Sequence, residues 1–517
     1  MAVPLKLPII AIIETKITAT ARRKRLLLFL FWLLLVLWLF SRHVFWRDEV
    51  RAFSLALSGA DVGEMLRNLH GEGHPALWYL ILRGAHDLFP CRAVLPVSGL
   101  VIGIAAMGLF AWRAPFRIWV VALVLFSLFG AFEYVVVARN YGLAALVMFA
   151  LAALYPRVKD TAWFGVILAG LCNTNVPGCI LAAGFLLFRF VDVLAAARRP
   201  APREWIVLAS NALLSIAGAM MCFAVVYPPF NGDAVSLNYG HIGAGTLAAA
   251  LGDGGKGFSN LVLNARGWIP PILLWASCLA FIRRPPALVA SLAALFALKL
   301  FFFFVYPSGY RHEALFVVFL LALHWMLAEG AGGSPAGKPW TTSVESAGMA
   351  AFVVLLVAQT ADLAKPLYLQ ARGVPYSRSA QVAHLLQRPE LAGAIVMADP
   401  DLMLEPLPYY VSNPLWFSRE ESFGKLFARS RSDRQHISID DILADAGRLH
   451  RRYGRPVVIL LHADLRNSPT GVRSAFYRDT TALTPEGVQR FLTSTRLIAH
   501  LRPAITDESY DVYVYGA

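Results

Sequence analysis

The chain has 517 residues, 57% of them hydrophobic and only 15% charged, with a formal net charge of +14. A mean hydropathy of +0.57 excludes an ordinary soluble domain and indicates a polytopic membrane protein. The basic excess would suggest nucleic acid in a soluble chain, but here Arg and Lys sit in short clusters between apolar runs, so no nucleic-acid partner is expected.

In chain order, Arg22-Arg23-Lys24-Arg25 precedes an apolar run that reaches Phe40 and extends to Phe45. It is long enough to cross a bilayer and has no small-residue cleavage site after it, so it reads as a signal anchor with a cytoplasmic N-terminus. Residues 46–91 hold no clean span. His74 to Phe89 is apolar but short, carries Arg83, His86 and Asp87, and fits an amphipathic helix at the interface better than a crossing. With the first span at about 26–45, further spans are expected at about 92–112, 118–135, 142–155, 161–173, 178–194, 205–227, 268–282, 287–305, 312–328 and 346–363, eleven in all. A long loop covers 228–267. None of the five cysteines follows Cys278, so the C-terminal region has neither a disulfide framework nor a zinc spacing.

Charge orients these spans. With 74–89 held at the interface, every Arg/Lys cluster between spans falls in the cytoplasm, whereas a crossing there would put all later clusters outside. The same choice puts residues 364–517 outside the cytoplasm. That region is more polar. AIVMA (Ala394 to Ala398) and PVVILLH (Pro456 to His462) read as buried strands, Leu497 to Leu501 and Asp511 to Tyr515 as late strands. Helices are expected at Ala380 to Leu386, Ile439 to Tyr453 and Pro485 to Thr493. The expected fold is an α-helical polytopic membrane protein of about eleven transmembrane helices, residues 1–363, with 46–91 as its first external loop, followed by an extracytoplasmic α/β domain, residues 364–517. GDGGKG (Gly252 to Gly257) lacks a preceding strand and is no nucleotide fingerprint.

The expected external loops collect the acids, histidines, amides and tyrosines. Loop one holds Asp48, Glu49, His70, Glu72 and His74. Later turns hold Glu133, Arg139, Asn140 and Tyr141, then Asn173, Asn175 and Pro177, then Tyr306, Tyr310, Arg311 and His312. The 228–267 loop adds Asn231, Asp233, Asn238, Tyr239, His241 and Lys256. A site opening to the outside at headgroup height is expected. Asp48, just past a span and beside apolar surface, is expected to be a stronger base than in water. The competing reading pairs Asp48 and Glu49 with Arg47 and Arg51 on a solvated helix face. Arg139 and Arg311 lie against the positive-inside trend. Either they grip a phosphate with two hydrogen bonds, or they snorkel to headgroups. Glu133 is costly where it stands and so is a candidate. His74 before Pro75 could simply mark the entry to the interface helix, and Asn173 and Asn175 could simply cap or bridge short spans.

WRDEVRAFSLALSG followed by GHPALWYLIL resembles the first external loop of the GT-C superfamily of integral-membrane glycosyltransferases. The nearest likeness is to the bacterial branch related to protein O-mannosyltransferases and aminoarabinose transferases. ARNY (Ala138 to Tyr141) looks like the Arg-x-Tyr motif of that family's second external loop, and GYRHEALF (Gly309 to Phe316) resembles a late Arg-bearing motif. The match covers about 45–141 well and the later spans by arrangement.

The resemblance implies an inverting transfer of a sugar from a polyprenyl-phosphate donor to a glycan or glycolipid acceptor of the cell envelope, at a bacterial inner membrane. It implies Asp48 as general base with Glu49 assisting. Arg139 and Arg311, with His312 and Tyr141 beside them, would hold the phosphate. His74, Glu133, Asn173 and Tyr310 would line the substrate site. The acid that often precedes Ala-Arg in the second loop is Val137 here, and His-Pro-Pro has become His74-Pro75-Ala76. No metal ligand set is expected and no cofactor is required, although a divalent cation could assist the phosphate. The alternatives are a transporter or flippase of lipid-linked glycans, for which Lys299 is the main mid-span charge, and a non-catalytic scaffold that binds polysaccharide.

Overall fold

The computed structural model describes residues 11–14, 18–196, 201–227, 245–246, 250, 258, 260–262, 268–330, 338–428, 430, 432–467, 470–476 and 479–516. The loop candidates Asn231, Asp233, Asn238, Tyr239, His241 and Lys256, and the stretch Gly252 to Gly257, lie outside these residues.

The helices run α1 (Ala19–Arg42), α2 (Arg47–Ala56), α3 (Val62–Asn68), α4 (Leu77–Leu88), α5 (Val94–Arg113), α6 (Ile118–Leu125), α7 (Tyr141–Val158), α8 (Trp163–Cys172), α9 (Val176–Ala196) and α10 (Pro202–Val226). Ile269–Cys278, Pro285–Phe304, Tyr310–Gly330 and Pro339–Asp362 follow. Among the described residues, eight of these are long and apolar enough to cross a membrane, and two more are apolar but shorter. The expected polytopic helical part, followed by a strand-containing C-terminal part, is what the structure has.

One expected span differs. The apolar run over 118–135 is not a single helix: α6 stops at Leu125 and a π turn follows at Phe129–Glu133. Ser127 Oγ donates to Val124 O at 2.7 Å and accepts from Gly130 N at 2.9 Å. A side chain that bonds its own backbone in this way offers an alternative to the helical ladder, and apolar composition alone does not register it. A Cβ on Gly130 would lie 1.9 Å from Val124 O, so the bend needs glycine there. The chain then runs without regular helix to Asn140, which carries Glu133 and Arg139 inward instead of along a rod.

The helix Tyr310–Gly330 is the axis of the membrane part: every residue from His312 to Met326 is buried. Phe110 of α5 and Phe149 of α7 pack on its Trp325, and Phe185 of α9 packs on its Phe319. α1 and α10 sit at the periphery with most of their apolar surface exposed, as lipid-facing helices do. Arg25 anchors α1: its guanidinium donates to the carbonyls of Ala111 at 3.1 Å, Ala114 at 2.8 Å and Phe116. The short helices α2, α3 and α4 share a core of Phe53, Met65, Trp78 and Leu82.

The C-terminal part is a six-stranded sheet of β1 (Ile395–Asp399), β2 (Leu415–Phe417), β3 (Ser422–Phe423), β5 (Val457–Leu461), β8 (Arg496–Leu501) and β9 (Tyr510–Tyr515), ordered β3-β2-β1-β5-β9-β8. A small second sheet holds β4 (His436–Ser438), β6 (Gly471–Phe476) and β7 (Asp479–Leu483). β1 pairs in parallel with both β2 and β5. Alternate residues feed two cores. Val396, Ala398, Val458 and Leu460 face one side; Ile395, Met397, Val457 and Ile459 face the other, against the helix Ile439–Tyr453. From the carboxyl end of β1 the chain makes a short turn, Asp401–Leu404, and delivers Leu402 and Glu405 to the membrane part.

Candidate active site

α2 leaves α1 after a four-residue link and is built with two unlike faces. On the inner face Glu49 is fully buried. Its carboxylate takes hydrogen bonds from Ala138 N at 2.7 Å, His43 Nε2 at 2.9 Å and Trp46 N at 3.3 Å. These bonds satisfy an otherwise unpaired helix-start donor and fasten α2 to the turn before α7. On the outer face, one residue earlier, Asp48 opens into a cavity of about 1130 Å³. That exceeds the roughly 300–1,000 Å³ of ordinary small-ligand pockets.

The cavity lining is of two kinds. One group is polar: Asp48, His74, Arg139, Tyr141, Arg311 and His312. The other is apolar: Ile180 of α9, Ile216, Met220 and Phe223 of α10, and Phe301 and Val305 near the end of Pro285–Phe304. The polar residues arrive from three separate places. Arg139 and Tyr141 come with the first turn of α7, Arg311 and His312 with the first turn of Tyr310–Gly330, and Asp48 and His74 from the α1–α5 connection. Two helix N-termini therefore meet here, and their positive ends add to the arginine charge.

The partners fix these side chains. Arg139 donates to the Asp48 backbone carbonyl and, at 2.8 Å, to His74 Nε2. A guanidinium can only donate, so His74 Nε2 accepts and its proton is on Nδ1. Gly309 N donates to His312 Nδ1 at 3.0 Å. His312 therefore carries its proton on Nε2 and donates it to Tyr141 Oη at 2.8 Å, which directs the Tyr141 hydroxyl proton elsewhere. The Arg311 guanidinium lies 4.7 Å over the Trp46 ring, 3.5 Å from Glu133 and 3.7 Å from Asp48 Oδ2.

The electrostatics reverse one expectation. Burial would raise the Asp48 carboxyl, but Arg139, Arg47 and Arg311 outweigh it and hold it below the usual carboxylate range. Held by these cations, Asp48 is a weaker base than in water. Burial, with Arg139 and His312 adding to it, pushes His74 well below the ordinary imidazole range, so it stays neutral.

The other sequence candidates divide. Glu49 does not reach the cavity, because its carboxylate is consumed by the bonds above. Glu133 touches Arg311 from behind but is not part of the wall. Asn173 caps α8 and ties it to α10 through Ala169 O at 2.9 Å and Gly218 O at 3.1 Å. Tyr310 turns away and donates to Gln359. Arg139 and Arg311 are held inside the protein, so neither snorkels. The solvated-face reading also fails for Arg51, which bonds Glu72 at 2.5 and 2.7 Å and also Glu405.

The sequence reading missed Glu405, Asp507 and Glu508. The one available signal was an acid pair, Asp507-Glu508, near the end of a basic chain. The wall does not suit a divalent cation: Glu72 and Glu405 are both committed to Arg51, and Asp48 faces guanidinium groups. Asp464, His500 and Asp511 place ligand atoms within 4.8 Å of one another in the C-terminal part. There, however, Arg502 already donates to Asp511 at 3.1 Å.

The fold and cavity define a polytopic membrane protein with an amphipathic binding space at the foot of an α/β module. No family model matches the chain, and no curated protein matches it. The crystal structure of ArnT from Cupriavidus metallidurans bound to undecaprenyl phosphate is similar over 96% of this chain and 98% of its own, at 14% sequence identity and a TM-score of 0.45. At that degree of likeness, what the cavity can do follows from its own residues.

Proposed function

We propose that the protein is a membrane glycosyltransferase that moves a sugar from a polyprenyl-phosphate donor to a cell-envelope acceptor, glycan or glycolipid, on the non-cytoplasmic face. The observation that carries this reading is the mixed lining of the cavity. Its arginines and helix N-termini suit a phosphate, and the apolar wall of α9, α10 and Pro285–Phe304 suits the chain attached to it. A donor outside the cytoplasm must carry its own activation, which a lipid-phosphate sugar does.

In the reaction, the acceptor hydroxyl attacks the anomeric carbon on the face opposite the phosphate and inverts it. Asp48 takes the hydroxyl proton. The bond from anomeric carbon to phosphate oxygen breaks, and the electron pair leaves with the polyprenyl phosphate. Arg139 and Arg311 hold that charge, and the Tyr141 hydroxyl donates to it. A bound phosphate also draws the two guanidinium groups from Asp48, which restores basicity to the carboxylate once the donor is in place. The C-terminal module, through Leu402 and Glu405 at the cavity, would face the acceptor.

The test uses purified protein and membrane lipid extract as the source of donor and acceptor. Asp48→Asn should lower sugar release from the polyprenyl phosphate by about 100-fold or more with the protein still folded. Near-full activity would move the base elsewhere. No consumption of lipid-linked sugar by the wild type, from any source tried, would sink the reading.

A further inference from the structure

Asp48 has a cation next to it in the chain whose Nη groups point to the C-terminal module and whose Nε alone comes near the carboxylate. Arg47 is buried, and its guanidinium is gripped end-on, through Nη1 and Nη2, by Asp507 of the C-terminal module, at 2.7 and 2.9 Å. Glu508 lies 3.5 Å from the same guanidinium and accepts the Arg47 backbone N–H at 2.8 Å. Ser377 donates to the second Glu508 oxygen. The nearest approach of Arg47 to the Asp48 carboxylate is only 3.9 Å, through Nε.

We propose that Asp507 and Glu508 are positioning residues that hold the Nη groups of Arg47 on the module, so that the guanidinium comes no closer to the carboxylate of Asp48 than its Nε edge. The inference rests on Asp48 being the general base, and it gives the C-terminal module a direct part in the chemistry.

The physical basis is competition for one guanidinium. Asp48 already faces Arg139 from the turn before α7, Arg311 from Tyr310–Gly330, neutral His74 from the loop before α4 and, at 3.9 Å, the Nε edge of Arg47 itself. A closer approach of Arg47, with its Nη groups on the carboxylate, would weaken it further as a base. Arg47 in turn faces Asp507, Glu508 and Asp48, with His462 of the module nearby. A bidentate carboxylate is a better partner for it than a single contact at 3.9 Å, so the module wins. Burial pushes Glu508 up to about 7, so below that pH the grip rests mainly on Asp507.

Removing the grip has a signed consequence. With Asp507→Asn and Glu508→Gln together, Arg47 swings onto Asp48. The carboxylate then loses its proton at lower pH but accepts one less readily. In steady-state assays kcat should fall about tenfold while KM for the lipid-linked sugar stays within about twofold. The acidic limb of the rate profile should move to lower pH. Adding Arg47→Met in that background should restore most of the rate, because the intruding cation is gone. A purely structural junction predicts the opposite: no movement of the limb, and a further loss with Arg47→Met.

Either of those results would overturn the proposal, as would an unchanged kcat in the double variant. If the double variant does not fold, Asp507→Asn alone carries the same readouts, since Asp507 is part-exposed. Asp48→Asn is assayed alongside. If it abolishes transfer while the junction variants behave as wild type, only this inference fails. If it remains active, the base assignment fails and this inference with it.

Discussion

The cavity and the carboxyl end of β1 are both buried clusters of acids and arginine, yet they are opposite in kind. At β1 the acids outnumber the cation. Asp399, Asp401 and Asp479 surround Arg419, which bonds Thr481 Oγ1 at 3.0 Å and lies 3.3 Å from Asp399 and 3.6 Å from Asp479. Asp401 accepts the backbone N–H groups of Ser418 and Arg419 at 3.1 and 2.8 Å. Burial pushes Asp401 up to about 7, against the pull of Arg419. In the cavity four arginines, Arg47, Arg51, Arg139 and Arg311, outnumber Asp48, Glu72 and Glu405, and Asp48 is pushed down. The first cluster is closed on itself and holds a loop in place. The second carries surplus positive charge beside open volume, and a surplus of that kind has a use only when an anion arrives.

Breaking the closed cluster should cost the most. Arg419→Ala leaves Asp399 buried without its cation, and a loss of about 3 kcal/mol is expected in chemical denaturation of the C-terminal part. A loss below about 1 kcal/mol would mean that the acids there are neutral and need no partner.

The same truncation in the open cluster should read out differently. Arg139→Met should raise KM for the lipid-linked donor about tenfold, the weight of a charge-assisted contact to phosphate, with a much smaller change in melting temperature. If Arg139→Met destabilises as much as Arg419→Ala, the two clusters are alike and the comparison fails.

The smallest effect is in pH. Asp401 ionises near 3.8 when unfolded and at about 7 when folded. Between those values the folded state holds the extra proton, so stability falls as pH rises through that window. A melting curve at intervals from pH 4 to 7.5 should show that decline, and Asp401→Asn should flatten it. An unchanged slope in the variant would assign the decline to another group, Glu508 first.

Much of the architecture was legible because lipid imposes simple rules. Length and apolarity mark α1, α5, α7, α9 and α10, and in the C-terminal part AIVMA and PVVILL read as buried strands because their residues are apolar on both faces. The span at 118–135 was misread because hydropathy is blind to Ser127 bonding its own backbone and to the room that Gly130 leaves. Strands as short as Leu415–Phe417 and Ser422–Phe423 carry no periodicity to detect. For the candidate site, composition placed Asp48, His74, Arg139, Tyr141, Arg311 and His312 in the same family of loops, and the cavity draws them together. Glu49, Asn173 and Tyr310 came from the same loops by the same reasoning and point elsewhere.

By itself the sequence determined which segments lie in an apolar phase, where the chain turns polar, and which residue types gather at the span ends. Those follow from transfer free energies and charge, which are properties of residues taken in order. Only the tertiary structure decided that Asp48 faces a cavity while Glu49 is consumed by His43 and Ala138. It also decided that Arg47 belongs to Asp507, more than 400 positions away in the chain, and that Asp48 is weakened as a base by Arg139 and Arg311 arriving from two other elements. A carboxylate's strength is set by the field of its neighbours, and those neighbours come together only when the helices pack.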